Sequence, residues 1–287
     1  MHACIVAGGC TSIVAGARAG GHANVTDMTV LIVYSEAGGV SKTTTAVSLA
    51  TIAARQDIPT LLVDLDPRAA ATKWLQAQPN EDWQTIAAII AEPEPDGWAN
   101  DLSLPTDWSP NLRILPSDRS LANREREHAD HSELRLTASL QDVPESLIVI
   151  DCPNRQGGML TQNALAAADG VIYAATASQD GIDGVEGARA SVEKFCRSRE
   201  RIGAPAKLQE LGIVVGSVPD PVVTRVARAS LSDLSETGLL LEPTVPRRTI
   251  VDQARMTGQW YGDFEKGQTV TDAYEQIFSA VKAKISE

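Results

Sequence analysis

Cysteine is scarce in this chain, with four among 287 residues. Two of them, Cys4 and Cys10, lie close to the N-terminus. So few, so placed, exclude a disulfide framework, and Cys152 and Cys196 read as reduced thiols of a cytoplasmic protein. Positive charge is in deficit too. Twenty-five Lys and Arg stand against 37 Asp and Glu, a net charge of −12 that weighs against a general nucleic-acid coat. The small-residue stretch ahead of Met28 lacks the charged leader and apolar length of a signal peptide. It is also too interrupted to span a membrane, so no membrane association is expected. Histidine is rare, and His128 and His131, although three apart, sit in the charged run NREREHADHSE and read as a solvated helix face rather than metal ligands. No internal repeat and no second domain is visible. The string DGIDGVEG lacks the ligand spacing of a calcium loop and reads as glycines at the start of a helix.

The hydrophobic content of 43% and charged content of 22% are those of a soluble globular protein. A chain of this length can bury one large core. Short apolar runs at 30–34, 61–63, 147–150, 171–173 and 211–215 alternate with longer helical stretches. That rhythm predicts an α/β fold, a single domain with a mainly parallel, doubly wound sheet flanked by helices. Residues 269–284 repeat Val270, Ala273, Ile277, Ala280 and Val281 at helical steps, one stripe against a core. Residues 29–287 are expected to form this domain. Residues 1–28 read as a disordered tail, or as a mis-assigned start with Met28 as initiator. Prolines 93, 95, 105, 110 and 116 predict a surface connection without regular structure over 92–116, pinned to the body by Trp98 and Trp108.

The chemistry concentrates in VLIVYSEAGGVSKTTTAVSLA, residues 30–50. An apolar strand runs into a glycine turn, and Lys-Thr-Thr opens a helix. Backbone N–H groups of Gly38, Gly39, Val40, Ser41, Lys42, Thr43 and Thr44, with the positive end of the helix, would cradle an anion. Lys42 would reach the β- and γ-phosphates, and the Thr43 hydroxyl would ligate Mg²⁺. Two further strands end in acid: Asp64 and Asp66 close TLLVDLD, and Asp151 closes LIVID. Carboxylates at the carboxyl edge of an open sheet point toward the ligand crevice, and three together without a cation would repel one another. Cys152 has no nearby motif to activate it as a nucleophile.

The first motif departs from GxxxxGK[ST] at Glu36 and Ser41. It resembles instead the deviant P-loop, KGGxGKT[ST], of the ParA/MinD family of partitioning ATPases, with Ala37 in place of that family's signature lysine. TLLVDLDPRAAATKWL resembles the family's LLVDLDPQGNAT, with Arg68, Ala69 and Ala70 where Gln-Gly-Asn is usual. LIVIDCPN resembles its Walker B strand, with Asn154 where a second proline is usual. LGIVVGSVPDP and VPRRTIVDQARMTG resemble its later strand and late loop. The likeness runs from about residue 29 to the C-terminus.

The resemblance implies ATP and Mg²⁺ as cofactors, with Lys42 and Asp66 catalytic. Asp66 would position the attacking water, Thr43, Asp64 and Asp151 would serve the metal, and Pro246 of the late loop would touch the nucleotide. It implies an ATP-dependent homodimer, nonspecific DNA, a ParB-like or other adaptor protein, and a cytoplasmic, nucleoid-associated location. Lys194, Arg197, Arg199, Arg201, Lys207, Arg225 and Arg228 face only Glu200, Glu210 and Asp220, and Arg247 with Arg248 makes a second basic point. These are either DNA contacts or solvated helix charges, and the sequence leaves both open. It also leaves open whether the chain turns ATP over or is a nucleotide-gated binding module that does not, since the changes at positions 36, 37 and 41 act on phosphate electrostatics.

Overall fold

Seven runs rich in β-branched and aliphatic residues form strands: β1 (Thr29–Tyr34), β2 (Thr60–Asp64), β3 (Leu104–Thr106), β4 (Ser109–Leu115), β5 (Leu147–Asp151), β6 (Gly170–Thr176) and β7 (Gln209–Gly216). The structure, a computed structural model, describes residues 28–126, 129–204, 208–220 and 224–286. The expected tail over 1–27 and the individual residues His128, Lys207 and Pro221 lie outside it. The strands form one sheet in the order β3-β4-β2-β5-β1-β6-β7, with only β3 antiparallel to its neighbour. The helices are α1 (Lys42–Arg55), α2 (Ala70–Trp74), α3 (Ile86–Ala91), α4 (Trp98–Leu102), α5 (Arg135–Ser139), α6 (Met159–Ala167), α7 (Gln179–Arg201), α8 (Arg225–Glu236), α9 (Thr249–Thr257) and α10 (Gln268–Ile285).

Both faces of the sheet are covered, so its central strands read as continuous apolar runs rather than alternating ones. Ile32, Tyr34, Val63 and Ile150 pack toward Ile86, Leu160 and Val185 on one side. Leu31, Val33, Leu62 and Val149 pack toward Val47, Tyr274 and Phe278 on the other. The stripe expected over 269–284 is α10, with Val270, Ala273, Ile277 and Val281 buried. Among the described residues, no helix is long and apolar enough to cross a membrane.

Two expectations need correction. Residues 92–116 hold regular structure: α4, the edge strand β3 and the largely buried β4, which pairs in parallel with β2. Pro105 is tolerated because an edge strand needs no donor on its open side, and Pro110 lies beside the register shift of the β3–β4 pair. The remaining prolines fall between elements. Trp108 does pin the segment, its ring 5.9 Å from Trp74 and 5.8 Å from Trp260 and its indole N–H donating to the Gly258 carbonyl at 3.1 Å. His131 is exposed, but its left-handed φ of 57° puts it ahead of a short 3₁₀ turn, not on a continuous helix.

Parallel pairing sets the site. Asp64 and Asp151 are directly opposite across β2 and β5, and Val33 of β1 is opposite Asp151 on the other side. The ends of β1, β2 and β5 therefore meet where the chain order switches across the sheet, the position at which open α/β sheets bind ligands.

Candidate functional site

The turn after β1 delivers an open helix end. No side chain caps α1 and no acid sits in its first turn, so its free N–H groups keep their capacity for an anion. Gly39 takes φ +72°, as a tight phosphate turn requires. Ser41 takes φ 67°, a left-handed conformation that glycine would adopt without strain. Its hydroxyl lies 3.1 Å from that of Ser217, and a Cβ on Gly216 would come within 3.0 Å of the Ser41 Cβ. Gly216 thus makes room for the side chain that replaces the loop glycine.

Lys42 is 7% exposed, and its ammonium donates to the Ala37 carbonyl at 2.7 Å. Burial lowers its proton affinity, while the negative charge of Asp151 raises it. Asp151 is 1% exposed, and neither of its oxygens has a hydrogen-bond partner. The nearby Thr43 hydroxyl lowers its pKa without forming a geometrically satisfactory bond. Burial first and the Asp64 charge second push the Asp151 carboxyl well above its ordinary range. Asp64 is fully buried as well. One oxygen accepts from the backbone N–H and hydroxyl of Thr72 at 2.8 and 2.7 Å, and the other from the Asp66 N–H at 3.3 Å. Burial still outweighs these bonds and pushes its pKa to about 6. Two buried carboxyls at neighbouring strand ends, one of them orphaned, is an arrangement a cation would relieve.

A cavity of about 550 Å³ opens in front of these groups, within the range of small-molecule sites. Its wall contains every residue from Gly38 to Thr44, together with Asp66 and Pro246. Asp64 and Asp151 lie behind that wall. No three His, Cys, Asp or Glu side chains converge to hold a metal among the described residues. Magnesium does not demand such a cage, since it usually takes one or two carboxylates plus phosphate oxygens and water.

Sequence reasoning missed several wall residues: Asn154, Thr176, Ser217 and Arg255. A Cβ on Gly38 would stand 3.1 Å from the Asn154 amide nitrogen, so the departure from a second proline sits at the phosphate turn itself. Arg247 and Arg248, the second basic point of the sequence, line this cavity, and Arg248 pairs with Asp220 at 2.6 Å. The only signal for this was the closeness of both to Pro246, which the segment just after β7 holds through the bond from the Arg247 N–H to the Val218 carbonyl.

Glu36, an acid beside an anion site, turns away from it. Its carboxylate accepts from the Ser191 hydroxyl of α7 at 2.7 Å and from the Tyr34 hydroxyl at 3.2 Å. The glycines of DGIDGVEG make this approach possible. A Cβ on Gly187 would meet the Glu36 carboxylate at 2.4 Å, and one on Gly184 would lie 2.5 Å from the Ala37 Cβ and 3.0 Å from its backbone nitrogen. Gly184→Ala is therefore expected to destabilise the fold by roughly 1–3 kcal/mol, despite alanine's better helix propensity. Urea unfolding would read this, and an unchanged or raised midpoint would mean that α7 does not seat on the loop.

Sheet, glycine turn, buried lysine and strand-end acids together define a P-loop nucleotide-binding protein. A family model described as an AAA domain matches residues 28–202. The chain belongs to that family and, within it, to the ParA/MinD-like partitioning ATPases. It is 28% identical over 260 residues to the chromosome-partitioning ATPase Soj of Thermus thermophilus, covering 88% of this chain and 95% of that one. It spans about half the length of two other curated partitioning relatives, 50% for the ParA of Myxococcus xanthus and 56% for the Soj of Bacillus subtilis. Apo McdA of Cyanothece shares the fold with a TM-score of 0.74 at 22% identity, over 90% of this chain and 99% of that one. Cobyrinic acid a,c-diamide synthase of Mycobacterium smegmatis, solved with ADP and magnesium, matches with a TM-score of 0.69 at 26% identity, over 91% and 96%.

Proposed function

We propose that this protein is an ATPase that partitions or positions a cargo, plasmid or chromosomal DNA or a protein assembly, through ATP-dependent dimerisation and slow hydrolysis. The observation that carries this is the convergence of an uncapped helix N-terminus and the buried Lys42 at one cavity, with the orphaned Asp151 buried behind its wall. ATP binds with its phosphates on the Gly38–Thr44 backbone, and Lys42 leaves the Ala37 carbonyl to neutralise charge on the transferring group. Thr43 and Asp151 would hold Mg²⁺, with Asp64 supporting them from behind, and the ion would supply positive charge beside the phosphate oxygens. Pro246 and its neighbours close the far end. Asp66 bonds the Arg68 N–H with one oxygen at 2.8 Å and orients the attacking water with the other.

The homodimer holds nonspecific DNA through exposed cations of late α7 and α8, among them Lys194, Arg197, Arg201 and Arg225. A ParB-like or other adaptor stimulates turnover, and the protein works in the cytoplasm on the nucleoid. Support comes from the Thermus Soj, a chromosome-partitioning ATPase aligned over most of both chains, and from the magnesium–ADP complex of the Mycobacterium protein.

Phosphate release from Mg-ATP, with and without duplex DNA, tests the proposal. Asp66→Ala is expected to bind nucleotide normally and lose turnover by about 10²-fold or more; full activity in that variant sinks the role given to Asp66. DNA affinity is expected to fall steeply with salt, and light scattering should show a dimer with ATP only. Ala37 and the strained Ser41 favour a second reading, a nucleotide-gated module that does not hydrolyse. Tight Mg-ATP binding without turnover, with DNA and adaptor present, would establish that one.

A further inference from the structure

The cavity has two basic walls with different surroundings. Arg247, Arg248 and Arg255 stand with Asp252 on the side built by the late loop and α9, where Arg248 already has Asp220. Arg68 stands on the other side, in the turn that follows β2.

That turn is held from every direction. Asp66-Pro67-Arg68-Ala69 is a β-turn closed by the Ala69 N–H on the Asp66 carbonyl at 2.8 Å, with proline at the position where its fixed φ favours the turn. The Asp66 carboxylate accepts from the Arg68 N–H at 2.8 Å, Lys73 donates to the Arg68 carbonyl at 2.6 Å, and the Ser117 hydroxyl donates to the Asp66 carbonyl at 2.9 Å. The Arg68 backbone is rigid, whereas its guanidinium has neither an ion pair nor a hydrogen bond among the described residues. It lines the same cavity as Lys42, and its charge lowers the lysine's proton affinity by less than the Asp151 and Asp66 carboxylates raise it. Two cations lining one space, one on a fixed turn and one on the phosphate loop, give that space an affinity for an anion of high charge beyond what the Asp66 carboxylate next to them offsets. The loop position before Gly38 offers no cation, being Ala37.

We propose that Arg68 contacts the terminal phosphate of a bound nucleoside triphosphate from within the same chain, as a second cation beside Lys42, and so makes the site prefer triphosphate over diphosphate. This rests on the nucleotide reading above. A guanidinium suits the role because it stays charged and can bond two phosphate oxygens at once.

The test is titration of the wild type, Arg68→Ala, Arg68→Lys and Lys42→Ala with a non-hydrolysable ATP analogue and with ADP, both with Mg²⁺. Arg68→Ala is expected to weaken the triphosphate by about tenfold or more and ADP by less than about threefold. Arg68→Lys should recover part of the loss, and the melting of nucleotide-free Arg68→Ala should match wild type because the side chain is exposed. Equal weakening of both nucleotides, or of neither, while Lys42→Ala abolishes binding, overturns the assignment and leaves the nucleotide site intact. Failure of the wild type to bind either nucleotide overturns both.

Discussion

Lys42→Ala is expected to reduce ATP affinity by on the order of 100-fold or more, about 3 kcal/mol. The size follows from burial. The ammonium is already desolvated in the folded protein and held by one carbonyl, so little further dehydration opposes its exchange of that carbonyl for phosphate oxygens. Alanine removes the one buried cation of the loop, and the uncapped end of α1 left there contributes only about 0.3–2 kcal/mol. Lys42→Arg should not restore binding, since a planar, forked guanidinium does not replace a compact, buried ammonium held on the Ala37 carbonyl. Calorimetric titration with Mg-ATP checks both variants. A loss of less than about fivefold in Lys42→Ala would mean that the cavity takes its ligand elsewhere.

The second large effect concerns Asp151. Its carboxylate is buried and without hydrogen bonds, so Asp151→Asn should stabilise the metal-free, nucleotide-free protein by roughly 1–3 kcal/mol near neutral pH. The gain is limited because the new amide is also unpartnered and Lys42 loses an attracting charge. The sign of the pH dependence is definite. The folded protein holds the protons of Asp64 and Asp151 more tightly than the unfolded chain does. Their contribution to stability is therefore fully present below the ordinary carboxylate range. It is lost as pH rises through about 6 for Asp64, and above the ordinary range for Asp151. Urea midpoints of metal-free wild type should fall as pH rises from about 4 to about 6 through Asp64, with Asp151 carrying the loss to higher pH, and Asp151→Asn should remove that second part. Mg²⁺ with nucleotide should stabilise wild type more than the variant, whose neutral amide is a weaker ligand for the metal than a carboxylate. Equal pH profiles in the two proteins would show that Asp151 carries no excess protonation in the folded state.

The elements around the phosphate loop were legible because their signals are local. Periodicity of apolar residues, a glycine turn and an acid at the end of an apolar run lie within a few positions of one another, and backbone hydrogen bonding acts over the same range. Lys42, Thr43, Asp64, Asp66 and Asp151 all stood out in this way. The misjudged segment over 92–116 failed for a related reason. Proline reports that a local donor is missing, and only the place of β3 at a sheet edge shows that none is needed there.

By itself, the sequence determined the class of fold, the phosphate loop and the identity of the acids behind it, since each is written in contiguous residues. The tertiary structure decided how those parts are deployed. Glu36 turns from the anion site to Ser191, 155 positions away, because two glycines, Gly184 and Gly187, let α7 approach. Ser41 finds space and a hydroxyl partner at Gly216 and Ser217, 176 positions on from Ser41 to its partner. Arg68 and the Arg247–Arg248 pair meet across one cavity from opposite parts of the chain. Such pairings depend on the order of strands in the sheet and on close packing between distant segments, and local backbone preference does not encode either.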